Sequence, residues 1–124
     1  MQEVILIVHS AKRIRDKLTV CFSQAGYYVC VAANVADGLK IMRRDQPNAI
    51  FLGQNLPRAA DMLDELGNLC PSVCTFVVGS GEPTLKQRNT DKLYYVRQQP
   101  LDTEYILRLL NECLFEDDRK TKSA

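Results

Sequence analysis

Apolar and polar positions along this chain follow two alternating rhythms. Glu3 to Val8 is an unbroken run, EVILIV, ended by His9-Ser10, the pattern of a strand covered on both faces. From Lys12 onward Ile14, Leu18, Cys21, Phe22 and Ala25 recur at steps of three and four, one apolar face of a helix with Ser10 as N-cap and Gly26 as stop. Tyr27 to Ala32 reads as a second strand. Asn34 then caps a helix whose inner stripe is Val35, Leu39 and Met42, closing at Arg43-Arg44-Asp45 before Pro47. Ala49 to Leu52, bounded by prolines and closed by Gly53, has the run of a buried central parallel strand. Arg58 to Leu69 repeats Ala59, Met62, Leu63, Leu66 and Leu69 at helical spacing and ends at Pro71. Val73 to Val78 is a fourth strand, followed by the loop Gly79-Ser80-Gly81. Glu82 to Asp91 reads as a weak polar helix with Leu85 as its large apolar residue, and Leu93 to Val96 as a fifth strand. A last helix, capped by Asp102, turns Ile106, Leu109, Leu110, Cys113 and Leu114 inward.

Strands alternating with helices in this way predict an α/β fold, a doubly wound five-stranded parallel sheet of the flavodoxin-like order 2-1-3-4-5, with helices on both faces. One domain is expected over residues 1–115, with 116–124 a polar tail or the start of a linker. In such a sheet the loops at the carboxyl ends of the strands converge on one rim, where the chemistry of open α/β folds sits. After the central strand that rim carries Gly53, Gln54 and Asn55. None of them offers a carboxylate, imidazole, thiol or hydroxyl.

Composition narrows the picture. The 124 residues are 25% charged and 46% hydrophobic, with a formal net charge of +1, which gives no field for direct nucleic-acid binding or for a membrane surface. No segment approaches the roughly 20 apolar residues of a membrane span. The opening strand has an acidic flank and a short apolar run, unlike a signal peptide. Five cysteines, Cys21, Cys30, Cys70, Cys74 and Cys113, each sit inside an apolar pattern, and their odd number is expected to mean reduced core thiols in a cytoplasmic protein. A regulatory bond between Cys70 and Cys74, which straddle Pro71, is the alternative.

From Val4 to Leu114 the chain resembles the receiver domains of two-component response regulators, the CheY-like family. The features that carry the resemblance are VILIV followed by two pocket residues, Arg15 five positions after the second of them, Gly26-Tyr27-Tyr28-Val29 at the second strand, Pro47 through Pro57, and Gln99-Pro100. The resemblance implies a phosphorelay switch in which a strand-end aspartate takes phosphate from a histidine kinase, an acid pair holds magnesium, and a Ser/Thr and a Lys contact the phosphoryl group. This chain has Gly53 where that acceptor is expected, His9 and Ser10 at the acid pair, Gln99 at the lysine, and Gly79, or Ser80 with a slip of one, at the hydroxyl. The aromatic switch position falls on Val96. Glycine supplies no nucleophile, and His9 with Ser10 is a poor set for magnesium, a hard cation that favours carboxylates. No magnesium or other cofactor, no metal and no catalytic residue are therefore expected.

His9 alone reads as a structural rim residue, with metal ligand, phosphohistidine or proton carrier as alternatives. Ser10 as a nucleophile needs a base, and its neighbour on an extended segment points elsewhere. The second informative surface is the face made by the fourth predicted helix, the fifth strand and the last helix: Lys86, Arg88, Lys92, Tyr94, Tyr95, Arg97, Glu104 and Arg108. Tyr94 and Tyr95 point to opposite sides, so one of them faces outward among mixed charges, which suits a modest protein interface. By resemblance this face docks partners or a second copy.

The sequence thus reads as a pseudo-receiver: a degenerate receiver domain in two-component signalling, not an enzyme, acting through protein contacts with a signalling partner or a fused output domain. Two alternatives stand beside it. One is a flavodoxin-like ligand-binding or enzymatic module using His9, Ser10, Ser80 and Glu82; the other is a phosphorylated receiver with a displaced acceptor.

Overall fold

Parity along the strands decides the layers. In β1 (Val4–Val8) Ile5 and Ile7 fall into one apolar cluster, Leu6 and Val8 into another, and all four are fully buried. A strand can do this only with neighbours on both edges and helices on both faces. The computed structural model describes residues 2–85 and 92–123, with side chains through Phe115 in the last helix. Its strands β1, β2 (Tyr28–Ala32), β3 (Ala49–Gly53), β4 (Cys74–Gly79) and β5 (Leu93–Arg97) form one parallel sheet in the order β2-β1-β3-β4-β5. Every residue of β3 is buried, as expected for its place at the centre. Helices α1 (Lys12–Gln24) and α4 (Thr103–Ser123) contribute to the cluster of Ile5, Ile7 and Phe51; α2 (Val35–Asp45) and α3 (Ala59–Leu69) to that of Leu6, Val8, Ile50 and Leu52.

On the α1/α4 side an aromatic row crosses the sheet. Phe22 of α1 lies with its ring centre 4.8 Å from that of Phe51, Phe51 stacks on Phe76 at 4.5 Å, and Phe76 on Tyr94 at 5.1 Å. The register explains the row, because Phe51 is paired with Phe76 and Phe76 with Tyr94 on adjacent strands. Offset aromatic neighbours of this kind add to the area they bury.

Four expectations change. Ser10 does not cap α1: the cap position is Ala11, with no side-chain cap, and Ser10 lies one residue too early with its side chain exposed. Leu69, the last residue of α3, is 55% exposed, outside the buried stripe of Ala59, Met62, Leu63 and Leu66. Glu82 to Leu85 are not helical, and residues 86–91 of that predicted helix lie outside the described residues. Cys74 and Cys113 are not thiols but a disulfide, with Cα atoms 6.2 Å apart. Parity is the reason: Cys74 shares its face of β4 with Phe76 and Val78, which is the face that receives Ile106, Leu110 and Cys113 of α4. Cys21, Cys30 and Cys70 remain free and half-buried. Asn34 and Asp102 cap α2 and α4 as expected, through Asp37 N–H at 2.8 Å and Tyr105 N–H at 3.1 Å. Past residue 115 the helical backbone continues to Ser123.

Phe51→Ala, which empties the middle of the aromatic row, is expected to cost about 3–5 kcal/mol, read from the midpoint of urea unfolding at unchanged slope.

Candidate functional site

The rim is built from residues just past the strand ends. His9 follows β1 and is 6% exposed. Its Nδ1 accepts the backbone N–H of Ala11 at 3.0 Å, and its Nε2 meets Gln98 Oε1 at 2.9 Å. A backbone N–H can only donate, so Nδ1 is the bare nitrogen, and Nε2 carries the proton that it gives to Gln98. The ring is therefore neutral with both nitrogens engaged. Burial, and after it the positive charge of Arg15, lower its pKa below the ordinary histidine value, against the Gln98 hydrogen bond, which raises it. Arg15 Nη1 donates to the carbonyls of His9 at 2.7 Å and Ser10 at 3.0 Å, pinning the turn between β1 and α1.

Gln98 lies just past β5, whereas His9 lies just past β1; β3 and β4 stand between them in the sheet. Their hydrogen bond is thus a strap across the rim. The ring occupies the space above the tip of β3, where a Cβ on Gly53 would come within 3.0 Å of His9 Cδ2 and 3.3 Å of Cγ. Gln54, 7% exposed, fills the neighbouring space in the same way. Its Oε1 accepts Thr84 N–H at 2.9 Å and its Nε2 donates to the Glu82 carbonyl at 3.2 Å, tying down the loop after β4. A Cβ on Gly79 would meet Gln54 Cβ and Nε2, each at 3.0 Å. The two glycines make room for two large polar side chains.

Of the residues singled out from sequence, the structure brings His9, Gly53 and Gly79 together at this rim. Ser10, Ser80 and Gln99 are exposed. The donors at the acid-pair and acceptor positions are one imidazole, one hydroxyl and no carboxylate side chain, a set that does not fit magnesium. Nor does His9 offer Ser10 a free base, since both of its nitrogens are taken. Sequence reasoning placed Gln54 at the rim without giving it a role, and missed Gln98. A buried strand followed directly by an amide side chain was the available signal for Gln54; nothing local marked Gln98 over its neighbour Gln99.

On the second surface, Tyr94 packs inward on Phe76 while Tyr95 is 39% exposed, its hydroxyl donating to the Leu85 carbonyl. Arg97, Glu104 and Arg108 are exposed, Lys92 is half-buried, and Lys86 and Arg88 lie outside the described residues. Tyr105, not anticipated, is 47% exposed and shares with Tyr95, Arg97 and Pro100 a cleft of about 310 Å³. Val96 between them is buried.

No protein-family model matches the chain. Protein PilH of Pseudomonas aeruginosa is 26% identical over 117 residues, covering 89% of this chain and 96% of that one. A CheY-like response regulator receiver domain protein from Methanospirillum hungatei superposes with a TM-score of 0.85 at 22% identity, over 97% of this chain and 99% of that one. NtrX of Brucella abortus superposes at 0.84 and 19% identity over 99% of this chain, which spans 29% of NtrX. The chain has the CheY-like receiver fold. In that fold the positions at which the resemblance expects the acceptor and the acid pair are here Gly53 beneath an imidazole, and that imidazole with an exposed serine.

Two outcomes follow for the receiver rim. Gly53→Asp is expected to destabilise the fold by about 1–3 kcal/mol through overpacking against the ring, and to cost clearly less when introduced into His9→Gly than into wild type; equal denaturation midpoints for wild type and Gly53→Asp would contradict the packing. The second concerns pH. Because the folded pKa of His9 is lowered, the unfolded chain binds more protons just below the ordinary histidine value of about 6.5. Stability contributed by the neutral ring is full above that value and is lost as pH falls through the folded pKa. The stability advantage of wild type over His9→Asn, measured by urea unfolding, should therefore shrink between pH 7 and pH 5.

Proposed function

We propose that the chain is a degenerate receiver domain of two-component signal transduction that acts in the cytoplasm by protein contact and without phosphorylation. The observation that carries this reading is the neutral His9 ring seated over Gly53, with both nitrogens engaged, at the place where a receiver would hold its acceptor carboxylate. Phosphoryl transfer needs a nucleophile at the strand tip and countercharge for the transferred group; Gly53 supplies no nucleophile, and Gln99 stands where the resemblance expects the lysine. The domain is accordingly no enzyme, takes no magnesium, and keeps one phosphate-independent arrangement of its rim, which the His9–Gln98 strap and the Gln54 tether maintain.

The output surface is the side of β5 and α4 that carries Tyr95, Arg97, Glu104, Tyr105 and Arg108. Aromatic side chains with a mixed-charge surround suit a moderate protein interface. Its partner is a signalling protein, an output domain fused to the same chain, or a second copy docked through this face. That NtrX carries the same fold as 29% of a longer chain supports the fused arrangement. No described helix is long and apolar enough to cross a membrane, and the near-neutral charge gives no reason for direct nucleic-acid binding.

Millimolar magnesium with beryllofluoride, a phosphoryl mimic, should leave the thermal midpoint unchanged. A native-state ligand must stabilise what it binds, so a rise of about 3 °C or more, on the order of 1 kcal/mol of linkage, would overturn the reading, as would radiolabel transfer from an acyl phosphate to any side chain.

A further inference from the structure

The disulfide occupies an unusual place. Cys74 is the first residue of β4, and Cys113 stands about three turns into α4, the element that carries Tyr105. Each is 2% exposed. At its start α4 is joined to the sheet through Gln98 to Asp102; at Cys113 it is joined by the bond. Among the described residues the helix is held between these points by the apolar contacts of Ile106, Leu107, Leu109 and Leu110, and by polar links from the Cys21 thiol to the Thr103 carbonyl at 3.7 Å and from the Tyr27 hydroxyl to Asn111 at the surface. The bond adds a covalent fastening at the distal inner position of a helix otherwise held by side-chain packing and a few polar links.

Cys21, Cys30 and Cys70 are free. Burial raises the pKa of Cys21, and burial with the Asp45 carboxylate beside it raises that of Cys30, so both stay protonated and are poor attackers of a disulfide. Attack on either sulfur must wait for α4 to lift, because neither Cys74 nor Cys113 is accessible with the helix seated.

We propose that Cys74–Cys113 is a redox-operated latch on α4: oxidised, it clamps the helix to β4; reduced, it lets the helix open locally while the rest of the sheet stays formed. The reductant is a dithiol. One of its thiolates attacks Sγ of Cys113, the S–S bond breaks, and Cys74 leaves as a thiolate that takes up a proton. The second thiol of the donor then displaces Cys113 as a thiol, and the donor ends as its own disulfide, two electrons having passed to the chain. The latch concerns the helix itself, whatever reads its outer face, so it stands or falls separately from phosphorylation independence.

The test is hydrogen exchange with mass spectrometry on the full chain, purified without reductant and then treated with dithiothreitol, alongside alkylation mapping of the five cysteines. Before treatment Cys74 and Cys113 should resist alkylation and be recovered as one linked peptide; afterwards both should be alkylated. Amides of Ile106 to Cys113 should then exchange at least about tenfold faster while those of β1 and β3 keep their rates. The double variant Cys74→Ala/Cys113→Ala should reproduce the fast α4 exchange with or without dithiothreitol. The latch is overturned if the pair is recovered as thiols even after mild oxidation, if Cys74 is linked to Cys70 instead, if α4 exchange is the same in both states, or if every strand speeds up as much as α4. The last result would make the bond a global staple.

Discussion

A single uncharged imidazole holds the rim of this domain together. His9 terminates β1, supplies the acceptor that the first backbone N–H before α1 would otherwise lack, fills the space above β3 and reaches across to the segment after β5. Each of these roles depends on the others. Without glycine at 53 the ring has no seat, without the Ala11 N–H its tautomer is not set, and without Gln98 its buried Nε2–H is unpaired, a cost of about 1–3 kcal/mol for such a group. The same logic repeats next door, where Gln54 lies over Gly79 and satisfies both ends of its amide on the loop after β4. Large polar side chains over glycines, fully bonded, replace the small acids over side-chain-bearing strand tips that the receiver resemblance implies.

The sheet beneath explains how such a rim is tolerated. Alternate residues of β1 and β3 feed two separate apolar clusters, and on one side a continuous aromatic row links α1 to β5. Those layers derive their stability from burial and packing rather than from anything at the strand ends. Chemistry at the rim is thus free to change so long as its polar atoms stay paired.

That separation is also why the fold was legible in the sequence and the site only partly so. The period of apolar residues marks strands and helices directly, and β3 is recognisable from its own run between prolines. Which residues stand at the rim was readable one by one, because Gly53, His9 and Ser10 occupy positions defined by the strands they follow. What fills the pocket was not, since the partnership of His9 with Gln98 joins residues 89 apart in the chain and hinges on which of two adjacent glutamines turns inward. Ser10 was a misleading cap signal because the helix begins one residue later than a cap at that position requires. The disulfide was missed for a different reason: counting cysteines led to reduced thiols, whereas the shared parity of Cys74 and Phe76, set against the inner stripe of α4, would have brought Cys74 to Cys113.

The close seating of the imidazole on Gly53 couples the two positions. A carboxylate at position 53 would press on the ring, which lies 3.0 Å from where its Cβ would stand, and removing the ring would strand the amide ahead of α1. An acid at 53 and the imidazole at 9 therefore oppose one another, so that a single substitution at either position damages what the other supports.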